Sequence, residues 1–245
     1  ASYQIHTFVS LWIYLCTRTI EMTTQSFSLT DRTQVKRNPG RAVYDREVIY
    51  EVLDEAMLGH LAVAIDGEPF VLLTIHTRIG DTLYLHGSNQ NRLYRKIAEG
   101  AKACISITIL NGLVLAHSGL HHSMNYRTVV LFANGEKVED REEEWRVLEA
   151  LVEQIVPGRW EDSRQPTLQK LNATMVIAFP INKASAKVRN GPTINTDADR
   201  ELPIWAGVMP IKLCTQAPIT DTAGQEVPVP EYVRDYEKLP SVSLP

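Results

Sequence analysis

The segment LYLHGSNQNRLYRKI, residues 83–97, joins a strand-like run to a helix-like run through a short polar junction. The apolar start favours a strand over 82–88, and the basic run after it favours a helix over 89–98. The first N–H groups of a helix have no intrahelical partner and carry partial positive charge. Gly87 lacks a Cβ, which allows the backbone to approach a ligand closely. The junction therefore raises the question of an anion site.

The residues alone leave two interpretations of this junction open. In the first, Ser88 donates its hydroxyl to a phosphate and Arg92 grips the same group with a planar guanidinium. In the second, Ser88 or Asn89 simply caps the helix. Capping fits any sequence with Ser or Asn at this point, so the segment by itself does not decide between them.

The composition is that of an ordinary globular protein. The chain has 245 residues, of which 44% are hydrophobic and 22% charged, with a net charge of −4. That length supports one or two domains, and the mild acidity argues against a nucleic-acid partner, which favours a basic excess. The cysteines are few, widely spaced and without a CxxC pair, which predicts a reduced, cytoplasmic protein.

The N-terminal stretch 8–16, FVSLWIYLC, is apolar but far shorter than the roughly 20 residues that span a bilayer. We expect no membrane insertion and interpret residues 1–21 as a leader or non-native extension, with a membrane-touching leader as the alternative. A flexible arm at 22–36, one domain at 37–213 and a Pro-rich tail at 214–245 complete the predicted organisation.

The remaining pattern predicts a mainly β protein with a few helices. Asp45 precedes a helix with apolar residues at i, i+3 and i+4, and Asp140 with Glu143 predicts a capping-box-like start for a helix over 140–155. The sequence GEP at 67–69 and Asn111-Gly112 each predict a hairpin turn. Residues 190–203 are predicted as loop. Short, sequence-adjacent strands favour an antiparallel sheet or a partly open barrel with helices as plugs.

Polar residues are also concentrated at 117–128, HSGLHHSMNYRT, just before an apolar strand. This cluster predicts either a ligand rim or an exposed polar loop. No metal motif is present, since adjacent residues such as His121 and His122 point to opposite faces of a strand. Trp205, between Pro203 and Gly207, is either a packing anchor or a stacking partner for a cofactor.

Several segments together resemble the FMN-binding relatives of pyridoxamine 5′-phosphate oxidase, with the nitroimidazole-resistance reductases as close cousins. The segments are YDREVIYEVLDEA, GEPFVLLTIHTRIGDTLYLHGS, LAHSGLHHSMNYRTVVLF, LVEQIVPGRW, ASAKVRNGP and LPIWAGVMPI, and they extend from about Arg37 to Ile211. The resemblance implies a split β-barrel, an antiparallel Greek-key barrel, that forms a homodimer with FMN in two clefts at the interface.

The resemblance also implies roles for individual residues. The residues of the junction would face the FMN phosphate, the strand 70–76 would run along the isoalloxazine edge, and the start of the strand at 125–128 would reach the cofactor, in part from the other subunit. His86 would stand beside the flavin and deliver a proton, and basic residues near the ring would tune its potential. The implied cofactor-binding set is Thr74, Ser88, Asn91, Arg92, Asn125, Arg127, Thr128, Lys187 and Trp205, with His86 as the catalytic residue.

One departure from the family limits the substrate. True pyridoxamine phosphate oxidases carry an Arg-x-His pair near the C-terminus, where this chain reads WAGVMPI. The sequence therefore predicts an FMN-dependent oxidoreductase acting on a different small acceptor. The alternatives are a non-catalytic flavin carrier or sensor, and a split barrel loaded with haem or a deazaflavin, for which His121 or His122 are the candidate axial ligands.

Overall fold

The computed structural model of the chain describes residues 25–221 and 227–236. The prediction for residues 1–21 and part of that for the tail lie outside the described residues. The strands are β1 Ala42–Val43, β2 Gly59–Ile65, β3 Glu68–Thr74, β4 His76–Ile79, β5 Thr82–Ser88, β6 Lys102–Leu115, β7 Ser123–Asn134, β8 Glu136–Lys137, β9 Thr174–Pro180, β10 Ala184–Arg189 and β11 Gly207–Pro210. The α-helices are α1 Arg46–Glu55, α2 Arg92–Ala98, α3 Arg141–Ile155, α4 Leu168–Asn172, α5 Asp197–Arg200 and α6 Glu231–Arg234, and short 3₁₀ helices cover Pro39–Arg41 and Gly119–His121.

The strands form two antiparallel sheets. The larger sheet has the order β1-β10-β7-β6-β2-β3, and β11 pairs with the C-terminal half of β6. The smaller sheet has the order β4-β5-β9-β8. The predicted mainly β architecture with antiparallel sheets is therefore confirmed.

Helix α1 fills the core between these sheets. The side chain of Asp45 caps it by accepting a hydrogen bond from the Val48 amide at 3.1 Å, as predicted. Its apolar face, Ile49, Val52 and Leu53, is fully buried. Phe27 is also buried and packs edge-on against Tyr50. The core thus includes a residue from the segment 22–36 that was expected to be a flexible arm.

The Asn111-Gly112 hairpin was a wrong prediction. Strand β6 runs through this point without turning, and its register with β7 shifts between Leu110 and Gly112, which is a β-bulge. The turn comes later, in residues 116–122. A Cβ on Gly112 would lie 3.0 Å from the Met209 carbonyl oxygen, so the glycine is explained by the close approach of β11.

Three other boundaries differ from the prediction. The strand expected over 70–76 divides at Ile75, where the chain leaves the larger sheet for the smaller one. The helix expected over 89–98 starts only at Arg92. The loop 190–203 contains α5, which has a full capping box between Thr196 and Asp199.

The described residues contain neither a membrane-spanning helix nor a metal-binding cluster. None of the helices within 25–221 and 227–236 combines the length and apolar character needed to cross a membrane. The same residues hold no cluster of three or more His, Cys, Asp or Glu side chains that could bind a metal ion.

Candidate cofactor site

The residue that caps α2 is Asn91. The sequence suggested Ser88 or Asn89, which lie three and two residues earlier. Its Oδ1 accepts hydrogen bonds from the amides of Leu93 at 2.9 Å and Tyr94 at 3.4 Å. The Ser88 hydroxyl oxygen accepts from the Gln90 amide at 3.2 Å. The first free amides of the helix are therefore occupied by Asn91, and an anion here would depend on side chains rather than on the helix end.

Arg92 is the side chain available for that role. It is exposed, and its guanidinium carbon lies 4.1 Å from the centroid of the Phe70 ring. It forms no ion pair with any described residue, and Glu99, a conceivable partner, pairs instead with Lys96 at 2.8 Å. Stacking on Phe70 holds the guanidinium beside β3, the strand expected to follow the isoalloxazine edge.

A buried hydroxyl contact links β3 to the end of β5. The hydroxyl of Thr74 donates to the Ile75 carbonyl at 2.9 Å and lies 3.3 Å from the Tyr94 hydroxyl. Tyr94 donates to the His86 carbonyl at 3.0 Å. A Cβ on Gly87 would lie 2.2 Å from Cε2 of Tyr94. Gly87 is therefore required by the packing of Tyr94, and not by the approach of a ligand as the sequence suggested.

His86 lies on the wall of a cavity of about 300 Å³ between β5, α3 and α4. Its Nδ1 is buried without a hydrogen-bond partner among the described residues. Burial lowers the pKa of His86, so the imidazole is neutral near neutral pH and offers a lone pair. The other lining residues are Ile75, Leu148, Leu151, Val152, Ile155, Trp160, Pro166, Lys170, Leu171 and Thr174.

Sequence reasoning missed this cavity, although it contained a signal. In the helix predicted over 140–155, the apolar residues Trp145, Leu148, Val152 and Ile155 recur at helical spacing on one face. Three of these four line the cavity. The apolar residues buried on α3 are instead Val147 and Leu151. An apolar face that the core does not fully cover is the pattern expected of a helix that borders a cavity.

Two predicted site residues on β7 are held by contacts within the chain. Asn125 is 2% exposed, accepts from Arg189 and from the Gly191 amide at 3.2 Å, and donates to the Gly191 carbonyl at 3.2 Å. Arg127 makes a two-point ion pair with Glu55, with both N–O distances at 2.6 Å. These contacts anchor a loop and α1 to the sheet.

Thr128 and Lys187 occupy opposite positions on β7 and β10. The hydroxyl of Thr128 lies 2.7 Å from that of Thr108 and donates to the Ile107 carbonyl at 3.1 Å. Lys187 is half-buried and has no ion pair with any residue in the described ranges. Its ammonium is therefore available to a ligand.

The structure divides the predicted site residues into two groups. Thr74 lies on β3, and three successive strand pairings, β3–β2, β2–β6 and β6–β7, separate it from β7. At the usual spacing between paired strands this is a distance of about 14 Å. Trp205 is 67% exposed and packs against Gly207 at the start of β11, the strand that pairs with the C-terminal half of β6. The first group is Thr74, His86, Ser88, Asn91 and Arg92, and the second is Asn125, Arg127, Thr128, Lys187 and Trp205.

The two histidines considered as haem ligands lie elsewhere. His121 and His122 are exposed in the connection between β6 and β7. His121 Nδ1 is 3.7 Å from an Asp199 carboxylate oxygen, and His122 Nδ1 accepts from the Ala116 amide at 2.9 Å. Neither lines the cavity that contains His86.

Comparison with protein families gives a match over more than half of the chain. The model described as pyridoxamine 5′-phosphate oxidase matches residues 45–188. The chain belongs to this family. The resemblance inferred from the sequence segments is therefore confirmed. No curated protein sequence matches the chain.

Two solved structures are similar over most of their length. The flavocytochrome Anf3 from Azotobacter vinelandii is 36% identical, with 83% of this chain and 95% of that chain covered and a TM-score of 0.78. An FAD and haem binding protein from Mycobacterium smegmatis is 33% identical, with 79% and 96% covered and a TM-score of 0.75. A 5-nitroimidazole antibiotic resistance protein from Bacteroides thetaiotaomicron, at 18% identity, 60% and 86% coverage and a TM-score of 0.50, shares the fold.

Proposed function

We propose that this chain is a flavin-binding oxidoreductase that also carries haem and works as a homodimer. The family supports a flavin, and the two relatives above 30% identity are described as a flavocytochrome and as an FAD and haem binding protein. The observation that carries the haem part is His86, with an unpartnered buried Nδ1 on the wall of an apolar cavity. The free thiols Cys104 and Cys214 agree with a reduced, cytoplasmic setting.

The flavin nucleotide would bind along β3 and the junction after β5. Arg92, held against Phe70, would contact the flavin phosphate together with the exposed Ser88 hydroxyl. FMN was the expectation from the sequence, whereas the M. smegmatis relative is described with FAD. The flavin, when bound, supplies the redox chemistry, and these side chains fix its position.

A second copy of the chain would complete this site. The apolar side chains of Val71 and Leu73 are 66% and 55% exposed on β3, at the edge of the larger sheet. Exposed apolar edge strands promote association between chains. Thr128 and Lys187 lie three and four strand steps from Thr74 within one subunit, about 14 Å and about 19 Å away. They would then contact the flavin bound to the other subunit.

His86, in place of His121 or His122, would hold the haem iron. The lowered pKa keeps the His86 imidazole neutral, which suits metal ligation and disfavours the proton-donor role expected from the sequence. The apolar cavity wall would exclude water, and the exposed Lys170 at its rim would pair with a carboxylate of the porphyrin.

The visible spectrum of the purified protein tests this proposal. We expect flavin absorption together with a haem Soret band, and release of a flavin that chromatography identifies as FMN or FAD. His86→Ala should remove the Soret band and keep the flavin, whereas the control variants His121→Ala and His122→Ala should keep both. A protein with flavin but no haem under haem-replete expression would refute the haem part, and a colourless protein that binds no added flavin would refute the whole.

Reduction under anaerobic conditions separates an enzyme from a passive carrier. An oxidoreductase should be reduced by NADH or NADPH within seconds to minutes and reoxidised by an acceptor over many cycles. A protein whose flavin is reduced by dithionite but by neither nicotinamide would instead support the carrier or sensor alternative.

A further inference from the structure

A second cavity, of about 440 Å³, lies where β6 begins and β7 ends, and the proposed function does not use it. Its volume falls within the range of about 300–1,000 Å³ typical of small-molecule sites. Four separate segments of the chain build it. The lining residues are Arg32, Lys102, Ala103, Phe132, Ala133, Asn134, Glu136, Pro180, Asn182 and Lys183.

The lining of this cavity carries a net positive charge. Arg32, Lys102 and Lys183 are cationic, and Glu136 is the single carboxylate among the lining residues. In the described part of the chain none of these three cations forms an ion pair, whereas the nearby Lys96 is paired with Glu99 at 2.8 Å. Three free cations around one cavity favour an anionic ligand of more than one charge.

The same cavity contains an aromatic surface and two amide side chains. The Arg32 guanidinium carbon lies 5.8 Å from the Phe132 ring centroid, which places a cation beside a half-buried ring. The Phe132 amide donates to the Lys183 carbonyl at 2.9 Å and so fixes the Lys183 loop at the cavity edge. Asn134, opposite Lys102 in the β6–β7 pairing, and Asn182 add amide groups that can hydrogen-bond a heterocycle.

The cavity lies apart from both groups of the candidate cofactor site. Asn134 is nine residues along β7 from Asn125, or about 30 Å. Gly135, between two lining residues, packs against Ile97 near the C-terminal end of α2, since a Cβ there would lie 2.5 Å from Cγ2 of Ile97. Arg92 stands at the opposite end of that helix, about 8 Å away along its axis.

We propose that this cavity binds the adenylate part of a dinucleotide. The cations would hold the phosphate, Phe132 would face the adenine ring, and the asparagine amides would contact its polar edge. Two sources share this chemistry: the adenylate half of FAD, and that of a nicotinamide dinucleotide that donates electrons. The assignment to a redox dinucleotide rests on the proposed function, but adenylate binding does not depend on it.

Calorimetric titration of the full-length protein with adenosine 5′-monophosphate tests the site, after any bound FAD has been exchanged for FMN so that no flavin adenylate occupies the cavity. We expect saturable binding that weakens as salt is added. Lys102→Ala and Lys183→Ala should each weaken it about tenfold or more, as expected for loss of a charge-assisted contact. Glu136→Gln should tighten it because the one opposing carboxylate is removed, and a gain in affinity cannot result from misfolding. Lys96→Ala, which removes an equal charge outside the lining, is the matched control.

Titrations with adenosine and with inorganic phosphate define the chemical class of ligand that the cavity binds. Adenosine should bind more weakly than its monophosphate and respond to neither lysine variant, and inorganic phosphate should bind more weakly than the nucleotide. Absence of binding at millimolar nucleotide, equal binding of phosphate and nucleotide, or unchanged affinity in both lysine variants would overturn the proposal.

The same variants identify the source of the adenylate. If Lys102→Ala weakens FAD but not FMN, the cavity holds the adenylate half of the flavin cofactor. If both flavins are unaffected and the KM for NADH or NADPH rises, it holds the donor. A protein that binds adenylate but no flavin would support this site and refute the proposed function, so the two failures are distinguishable.

Discussion

Replacing Arg92 with alanine should separate the phosphate of the flavin from its ring. The guanidinium is exposed, stacked 4.1 Å above Phe70 and free of any ion pair within the described residues. It therefore carries no structural ion pair whose loss would disturb the fold. The substitution should weaken the binding of FMN and leave riboflavin, which has no phosphate, nearly unchanged.

The magnitude follows from the contacts that are removed. A charge-assisted hydrogen bond to phosphate contributes about 1.5–3 kcal/mol, or roughly ten- to a hundredfold in affinity. The stacking of the cation on Phe70 contributes about 0.5–1 kcal/mol at an exposed site, which sets a small upper limit on the loss of folding stability. Arg92→Lys should give an intermediate loss, because lysine keeps the charge but not the planar, stacked fork.

The assay is quenching of flavin fluorescence during titration with each variant. Arg95→Ala, an exposed arginine on the same helix, is the control and should bind both flavins normally. Equal losses for FMN and riboflavin would indicate a folding defect and refute the reasoning. No loss for either ligand would remove Arg92 from the site.

Three further perturbations test the framework around the site. Gly87→Ala should destabilise the fold by about 1–3 kcal/mol, because the added Cβ would lie 2.2 Å from the Tyr94 ring. Gly119→Ala is the control, since the space around Gly119 is open. Equal urea midpoints for the two variants would contradict the packing argument. Glu55→Gln should cost about 1.5–3 kcal/mol in urea unfolding by breaking the two-point pair with Arg127, and a loss no larger than that of the exposed Glu51→Gln would show that the pair is not structural. Burial, and then the hydrogen bond to Asp81, raise the pKa of Tyr50 to about 12. The protonated Tyr50 hydroxyl therefore stabilises the fold fully below the pKa of an unfolded tyrosine, about 10, and this stabilisation is lost as the pH rises towards 12. Urea unfolding at about pH 9 and about pH 11 should show a smaller drop for Tyr50→Phe than for the unchanged protein, and equal drops would refute this role.

Local signals predicted the elements whose ends depend on neighbouring residues in the chain. Asp45 and Asp140 cap their helices as expected, because a cap joins a side chain to amides two or three residues away. Glu143, the expected partner of Asp140 in a capping box, instead accepts a hydrogen bond from the Tyr84 hydroxyl at 2.8 Å. The hairpin between β2 and β3 and the strand 82–88 also follow from turn residues and alternation. The family was recognisable because several such segments occur in a fixed order, and the match over 45–188 confirms it.

The Asn111-Gly112 prediction was wrong because turn propensity does not include the strands on either side. β7 pairs along one edge of β6 past this point, and β11 pairs along the other. Backbone hydrogen bonds to strands from distant parts of the sequence keep the chain extended, and the flexible dipeptide becomes a bulge. No window around residue 111 contains β11, so the outcome was not predictable locally.

By itself, the sequence determined the mainly β character, the capped helices and the family of this protein. These features depend on periodicity, capping and the order of segments, all of which are written along the chain. The tertiary structure alone decided that Thr74 lies about 14 Å from the expected site residues on β7, because this separation depends on which strands pair across the sheet. It also decided that Gly87 accommodates Tyr94, and that His86 borders an apolar cavity with an unpartnered nitrogen. Burial and cavity shape arise from segments far apart in sequence, and only folding brings those segments together.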